Sequence, residues 1–218
     1  AVANDLKQTK ENFSAEVVKK YSYHYLKYLP KNYDGKTKFP LLLFLHGAGE
    51  RGNNLEKVAV HGPPKLIKQG RQFPFIVISP QCPKESRWDP NALNAMLDHI
   101  IDSHAVDESR IYCTGLSMGG FGTWALGGSN PNRFAAFAPI CGGGGWMDAF
   151  QMWKKPIWVF HGDADSVVPL EESERMVRAL KRRGGKPKFT IYKGVNHDSW
   201  TETYNNPKLY EWFLSHKK

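Results

Sequence analysis

Ile111-Tyr112-Cys113-Thr114-Gly115-Leu116-Ser117-Met118-Gly119-Gly120-Phe121 is the stretch that decides how this chain folds. Residues 110–114 are an apolar, strand-like run that passes without a spacer into Gly115-x-Ser117-x-Gly119, and a helix-compatible segment, 121–126, follows. A serine on such a strand-to-helix turn is held in a strained backbone conformation, and small flanking residues let strand and helix approach closely. Its hydroxyl then stands at the carboxyl edge of a sheet, where open α/β folds bind ligands. The same letters also fit a glycine-rich helix N-terminus with a capping serine. The strand before and the helix after favour a nucleophile, Ser117.

Outward from the turn, the apolar runs 40–45 (PLLLFL), 75–79, 134–141, 157–160 and 188–192 repeat the strand pattern. Short continuous runs of this kind suit parallel strands buried on both faces. The Tyr-rich, half-alternating segment 21–29 predicts an edge strand. Between the runs lie helices. Asp89 is an N-cap with Pro90 at the first helical position, and Leu93, Leu97, Ile100 and Ile101 share one face. Further helices are predicted over 170–183, ending at Gly184-Gly185, and over 207–215. Strands alternating with helices predict a mostly parallel sheet covered on both faces, in one domain over 1–218 with 1–20 as a peripheral segment.

An alcohol needs a base within hydrogen-bond reach, itself oriented by a third group. After an elbow of this type the order is Ser, acid, His. His197, in the loop after 188–192, meets that order, whereas His24, His61, His99 and His104 precede the serine and His216 lies in the charged tail. The loop after 157–160, His161-Gly162-Asp163-Ala164-Asp165, supplies two candidate acids, Asp163 and Asp165. A third loop, His46-Gly47-Ala48-Gly49, follows the buried run 40–45. Backbone N–H groups there and at Met118 are placed to hold a developing oxyanion, with Ala48 preferred and Gly49 second.

These segments, with Ser79-Pro80-Gln81-Cys82-Pro83 and Asn196-His197-Asp198-Ser199-Trp200, resemble the α/β-hydrolase superfamily over nearly the whole chain. Within it the sequence resembles the small bacterial esterases often labelled predicted peptidases, related to feruloyl and acetylxylan esterases. The resemblance implies an α/β-hydrolase fold and carboxylic-ester hydrolysis through an acyl-enzyme, with neither metal nor organic cofactor. It selects Asp165 as the acid, at its position in H-G-x-x-D-x-x-V-P, with Asp163 as competitor. The interval 142–155 is too short for a separate cap domain, which favours short acyl groups or ester decorations on a polysaccharide. Trp88, Trp146 and Trp200 are expected in loops near the cleft mouth, to stack on an aryl acid or sugar, or else to plug those loops into the core. Arg51 and Arg87 read as solvated, with an acidic substrate group as the sharper alternative. A serine peptidase on short peptides and a non-catalytic carbohydrate-binding protein are the readings from other classes.

Composition narrows the rest. Thirty Lys and Arg against 21 Asp and Glu give a net charge of +9, read as solvated faces, with attraction to an acidic polymer as the alternative. No nucleic-acid module and no membrane-length apolar run is present, so the partner called for is the ester itself, free or carried on a polysaccharide. Cys82, Cys113 and Cys141 are odd in number and lack metal-ligand spacing. Ala1-Val2-Ala3 reads as the remnant of an export cleavage site, with a cytoplasmic protein as the alternative.

Overall fold

A computed structural model describes residues 8–218, so Ala1-Val2-Ala3 lies outside the described residues. Residues 8–20 are exposed throughout and carry no regular element. The strands are β1 (Tyr25–Tyr28), β2 (Phe39–Leu45), β3 (Ile76–Pro80), β4 (Val106–Leu116), β5 (Ala136–Ile140), β6 (Trp158–Gly162) and β7 (Lys188–Tyr192). They form one sheet in the order β1-β3-β2-β4-β5-β6-β7. Only β1 runs antiparallel, paired to β3. The helices are α1 (Gly62–Lys68), α2 (Pro90–Ser103), α3 (Met118–Ser129), α4 (Trp146–Met152), α5 (Glu171–Arg182), α6 (Trp200–Asn205) and α7 (Pro207–Leu214).

Strand side chains alternate between two cores. Leu41, Leu43 and Leu45 of β2 pack with Leu97 of α2, Trp124 of α3, Met152 of α4 and Met176 of α5. Leu42 and Phe44 face the other way, with Tyr204 of α6 and Leu209 and Phe213 of α7. A strand buried on both faces must be apolar at every position, which is why PLLLFL carries no alternation. Each such side chain contributes roughly 1.5–3 kcal/mol by burial. This is the α/β-hydrolase arrangement: a mostly parallel sheet with helices on both faces.

The sequence placed most elements within a few residues, and the departures have local causes. The edge strand is shorter than 21–29, because pairing with β3 spans only Tyr25↔Pro80 to Tyr28↔Val77. The interval 142–155, expected as a loop, contains α4. Its first turn is fixed by the Asp148 carboxylate, which accepts the Gly145 N–H at 3.0 Å, and it buries Ala149 and Met152. This helix packs against α3 and α5 and forms no unit of its own. Asp89 caps α2 as expected, accepting from Asn91 N at 2.9 Å, with Pro90 following.

Candidate active site

Strand β4 ends at Leu116, and the chain turns through Ser117 into α3. Ser117 has φ 51° and ψ −117°, a region that L-residues avoid. Its N–H donates to Ile140 O at 3.0 Å, holding the turn against β5. A Cβ on Gly119 would lie 1.9 Å from Leu45 O, and one on Gly115 2.3 Å from Gly119 O. Only glycine lets α3 start this close to β2 and β4.

Two loops at the same edge meet the serine. Ser117 Oγ lies 3.0 Å from His197 Nε2, and His197 Nδ1 lies 2.8 Å from Asp165 Oδ2. A carboxylate only accepts, so the imidazole carries its proton on Nδ1 and leaves the Nε2 lone pair facing the hydroxyl. The Asp165 side chain is fully buried, and its Oδ1 accepts the N–H groups of Val167 and Val168, each at 2.9 Å. Burial pushes this carboxyl up. The hydrogen bonds from His197 and the two amides outweigh it and hold the acid below its ordinary value.

Asp163, the competing acid, turns elsewhere: it accepts the Gly194 N–H at 2.6 Å. It thereby fastens the His197 loop to the acid loop. Asn196 ties the same two loops, its Oδ1 accepting from Ser166 N at 2.9 Å and His197 N at 2.8 Å. His161 is a further partner that the sequence reading missed. Its buried Nε2 lies 3.2 Å from Asp165 Oδ2 and 2.9 Å from Val168 O, and its Nδ1 lies 2.7 Å from Ser173 Oγ. The signal was its place, directly ahead of Gly162 where a strand enters the acid loop.

Ser117 opens into a cleft of about 510 Å³ whose lining includes Ala48, Met118, Trp88, Phe121, Gly122 and Ala125. Met118 sits in the first turn of α3, where N–H groups have no intrahelical partner. The loop carrying Ala48 comes close: a Cβ on Gly47 would lie 3.7 Å from Ser117 Cβ. Gly49 has open space around it and, unlike Ala48, is not among the lining residues. Trp88 is only 6% exposed, its indole N–H donating to His46 O at 3.1 Å, so one edge forms a fixed wall of the cleft.

The other two tryptophans depart from expectation, since both begin helices and neither lines the cleft. Trp146, 59% exposed, opens α4 and contacts Phe150. Trp200 opens α6 and stands edge-on to His197, ring centroids 5.1 Å apart. It supports the imidazole from beside it.

The donor atoms of Cys141, Asp165 and His197 lie within 4.8 Å of one another, the one such metal-capable group among the described residues. Burial pushes the Cys141 thiol up to about 12. A metal there would require deprotonating it and breaking the Asp165–His197 hydrogen bond. All three cysteines are buried and free.

The sequence profile of the prolyl oligopeptidase family matches residues 86–152 and 145–217, more than half of the chain. Among curated proteins, the chain is 28% identical over 162 residues to a bifunctional acetylxylan esterase/xylanase from Neocallimastix patriciarum, covering 69% of this chain and 22% of that one. It is 31% identical over 137 residues to feruloyl esterase B from Thermothelomyces thermophilus, covering 53% and 42%. Among solved structures, a thermostable esterase superposes with a TM-score of 0.78 at 35% identity, covering 89% of this chain and 59% of that one. The chain thus spans between 22% and 59% of the length of these relatives. Among the described residues no helix is long and apolar enough to cross a membrane.

Proposed function

Since the chain belongs to the prolyl oligopeptidase family, we propose that it is a serine hydrolase cleaving carboxylic esters through an acyl-enzyme on Ser117. The observation that carries this reading is the unbroken relay Ser117 Oγ–His197 Nε2, 3.0 Å, and His197 Nδ1–Asp165 Oδ2, 2.8 Å. Ser117 Oγ attacks the ester carbonyl while His197 Nε2 takes its proton. Asp165 keeps the imidazole in the reactive tautomer and stabilises the imidazolium. The N–H groups of Ala48 and Met118 receive the oxyanion. His197 then protonates the departing alcohol, and water repeats the attack on the acyl-enzyme. No metal or organic cofactor takes part in these steps.

Ester rather than peptide cleavage is favoured by the relatives named as acetylxylan and feruloyl esterases. The open cleft, with α4 packed into the helical layer, suits short or aryl acyl groups, including those esterified to polysaccharide. The family's own name supports the second reading, a peptidase on short peptides. Turnover of p-nitrophenyl acetate far above that of a peptide p-nitroanilide is expected, and the reverse ranking would select the peptidase. Ser117→Ala should lose roughly 10⁴–10⁶ in kcat together with labelling by a fluorophosphonate. Wild-type turnover in that variant would falsify the assignment.

A further inference from the structure

The cleft beside Ser117 is also lined by Arg51 and Arg87, and neither forms an ion pair among the described residues. Arg51 is held by two backbone carbonyls: its Nε donates to Ala48 O at 3.0 Å and its Nη1 to Ser86 O at 3.2 Å. These bonds use two of five guanidinium donors and fix the planar group in place, leaving the other three without a carboxylate partner among the described residues. The second bond also ties the oxyanion loop to the residue before Arg87, which brings a second, exposed guanidinium to the same wall.

The one carboxylate in the lining, Asp148, belongs to the other end. Trp88, next to Arg87, packs on Gly122 of α3, whereas Asp148 packs on Gly128. At about 1.5 Å per helical residue that is roughly 9 Å further along. Asp148 Oδ2 accepts the Gly145 N–H, and burial pushes its carboxyl up. Both guanidinium groups of the lining thus stand toward the serine end of the cleft and its carboxylate toward the other, on a chain that carries +9.

We propose that Arg51 and Arg87 form an anion subsite, so that the ester this site takes carries a carboxylate within reach of the nucleophile. A half-ester of a dicarboxylic acid would carry it on the acyl side, an acyl group on a uronic-acid-bearing sugar on the alcohol side. The proposal rests on the reading of Ser117 as an ester-hydrolysing nucleophile. A hydrogen bond to a charged group is strong enough to give selectivity of roughly tenfold or more.

Two matched substrate pairs test it. Mono-p-nitrophenyl glutarate against its methyl ester places the charge on the acyl side. 4-Acetoxybenzoate against methyl 4-acetoxybenzoate places it on the leaving group. Each ratio is divided by the same ratio for alkaline hydrolysis. The expected result is an anionic preference of about tenfold in kcat/KM for one pair, carried by KM. It should shrink as salt reduces the Debye length from about 30 Å to about 3 Å. Arg87→Gln, which has no tie to the oxyanion loop, should reduce the preference, and Arg51→Gln with Arg87→Gln should remove it. Turnover of the neutral esters with no anionic preference in either pair, or a preference unchanged in both variants, overturns the subsite alone. Absence of turnover with all four esters sinks the ester-hydrolase reading as well.

Discussion

Strands β2 and β6 both leave the sheet on a His-Gly pair, His46-Gly47 and His161-Gly162, and both imidazoles are fully buried, yet they hold different things. His46 holds backbone: Nδ1–H donates to Gly47 O at 2.6 Å, and Nε2 accepts the Cys82 N–H at 3.0 Å. This braces the loop that carries Ala48. His161 reaches side chains as well as backbone: Nε2 lies 2.9 Å from Val168 O and 3.2 Å from Asp165 Oδ2, Nδ1 lies 2.7 Å from Ser173 Oγ, and Ser173 in turn reaches Gly142 O at 3.0 Å. The glycines differ in the same way. A Cβ on Gly47 would meet Leu116 Cδ1 at 2.9 Å, beside the nucleophile, and one on Gly162 would meet Val195 O at 2.2 Å, in the loop of the base. One dipeptide at one sheet edge thus serves two parts of the site, the oxyanion loop and the acid. What decides between them is the neighbour each imidazole finds.

The strongest blow to the β6 side is Asp165→Asn. An amide in place of the carboxylate presents the wrong partner to His197 Nδ1, and kcat should fall by roughly 10³–10⁴ at little change in KM. A loss below tenfold in p-nitrophenyl acetate hydrolysis would mean that another acid, with Asp163 nearest in sequence, orients the base.

The two histidines can then be set against each other. His46→Asn should loosen the oxyanion loop and cost roughly 10²-fold in kcat, the scale of a displaced oxyanion donor. His161→Phe leaves Asp165 with His197 and two amides, so a smaller loss, about tenfold, is expected. Combined with Asp165→Asn, His161→Phe should add almost nothing, since it acts through that carboxylate. Full additivity of the two would erase the distinction drawn here.

The remaining effect is on stability rather than on turnover. Burial lowers the His46 pKa from 6.5 to about 4, opposed by the Gly47 carbonyl and assisted by the Arg51 charge. Between these values the unfolded chain binds the proton and the folded one does not. Stability is therefore full above pH 6.5 and declines as pH falls toward about 4, by at most about 1.4 kcal/mol per pH unit from this group. Urea denaturation across that range should show the decline, and His46→Asn should flatten it. An unchanged slope in the variant would remove His46 as its source.

The elbow was legible because its requirements are local: a strand, two glycines and a serine adjacent in sequence. Asp165 and His197 were legible through strand context and order, while the choice between Asp165 and Asp163 needed a family pattern. The roles of His161, Asp163 and Asn196 were not legible, since each depends on a partner from another segment. Trp146 and Trp200 were misplaced because helices α4 and α6 are short and carry little periodicity. α4 in particular follows a glycine run that reads as a loop until Asp148 caps Gly145.

By itself the sequence determined the sheet, since strands buried on both faces must be apolar throughout, and it determined that a serine would stand on a turn at the carboxyl edge. Tertiary structure alone decided which carboxylate faces His197, which tryptophan walls the cleft, and where the unpaired charges of Arg51 and Arg87 lie. Hydrogen bonds and ion pairs act over a few ångströms, and only folding brings residues 117, 165 and 197 within that range and sets residues 51 and 87 in the lining of the same cleft.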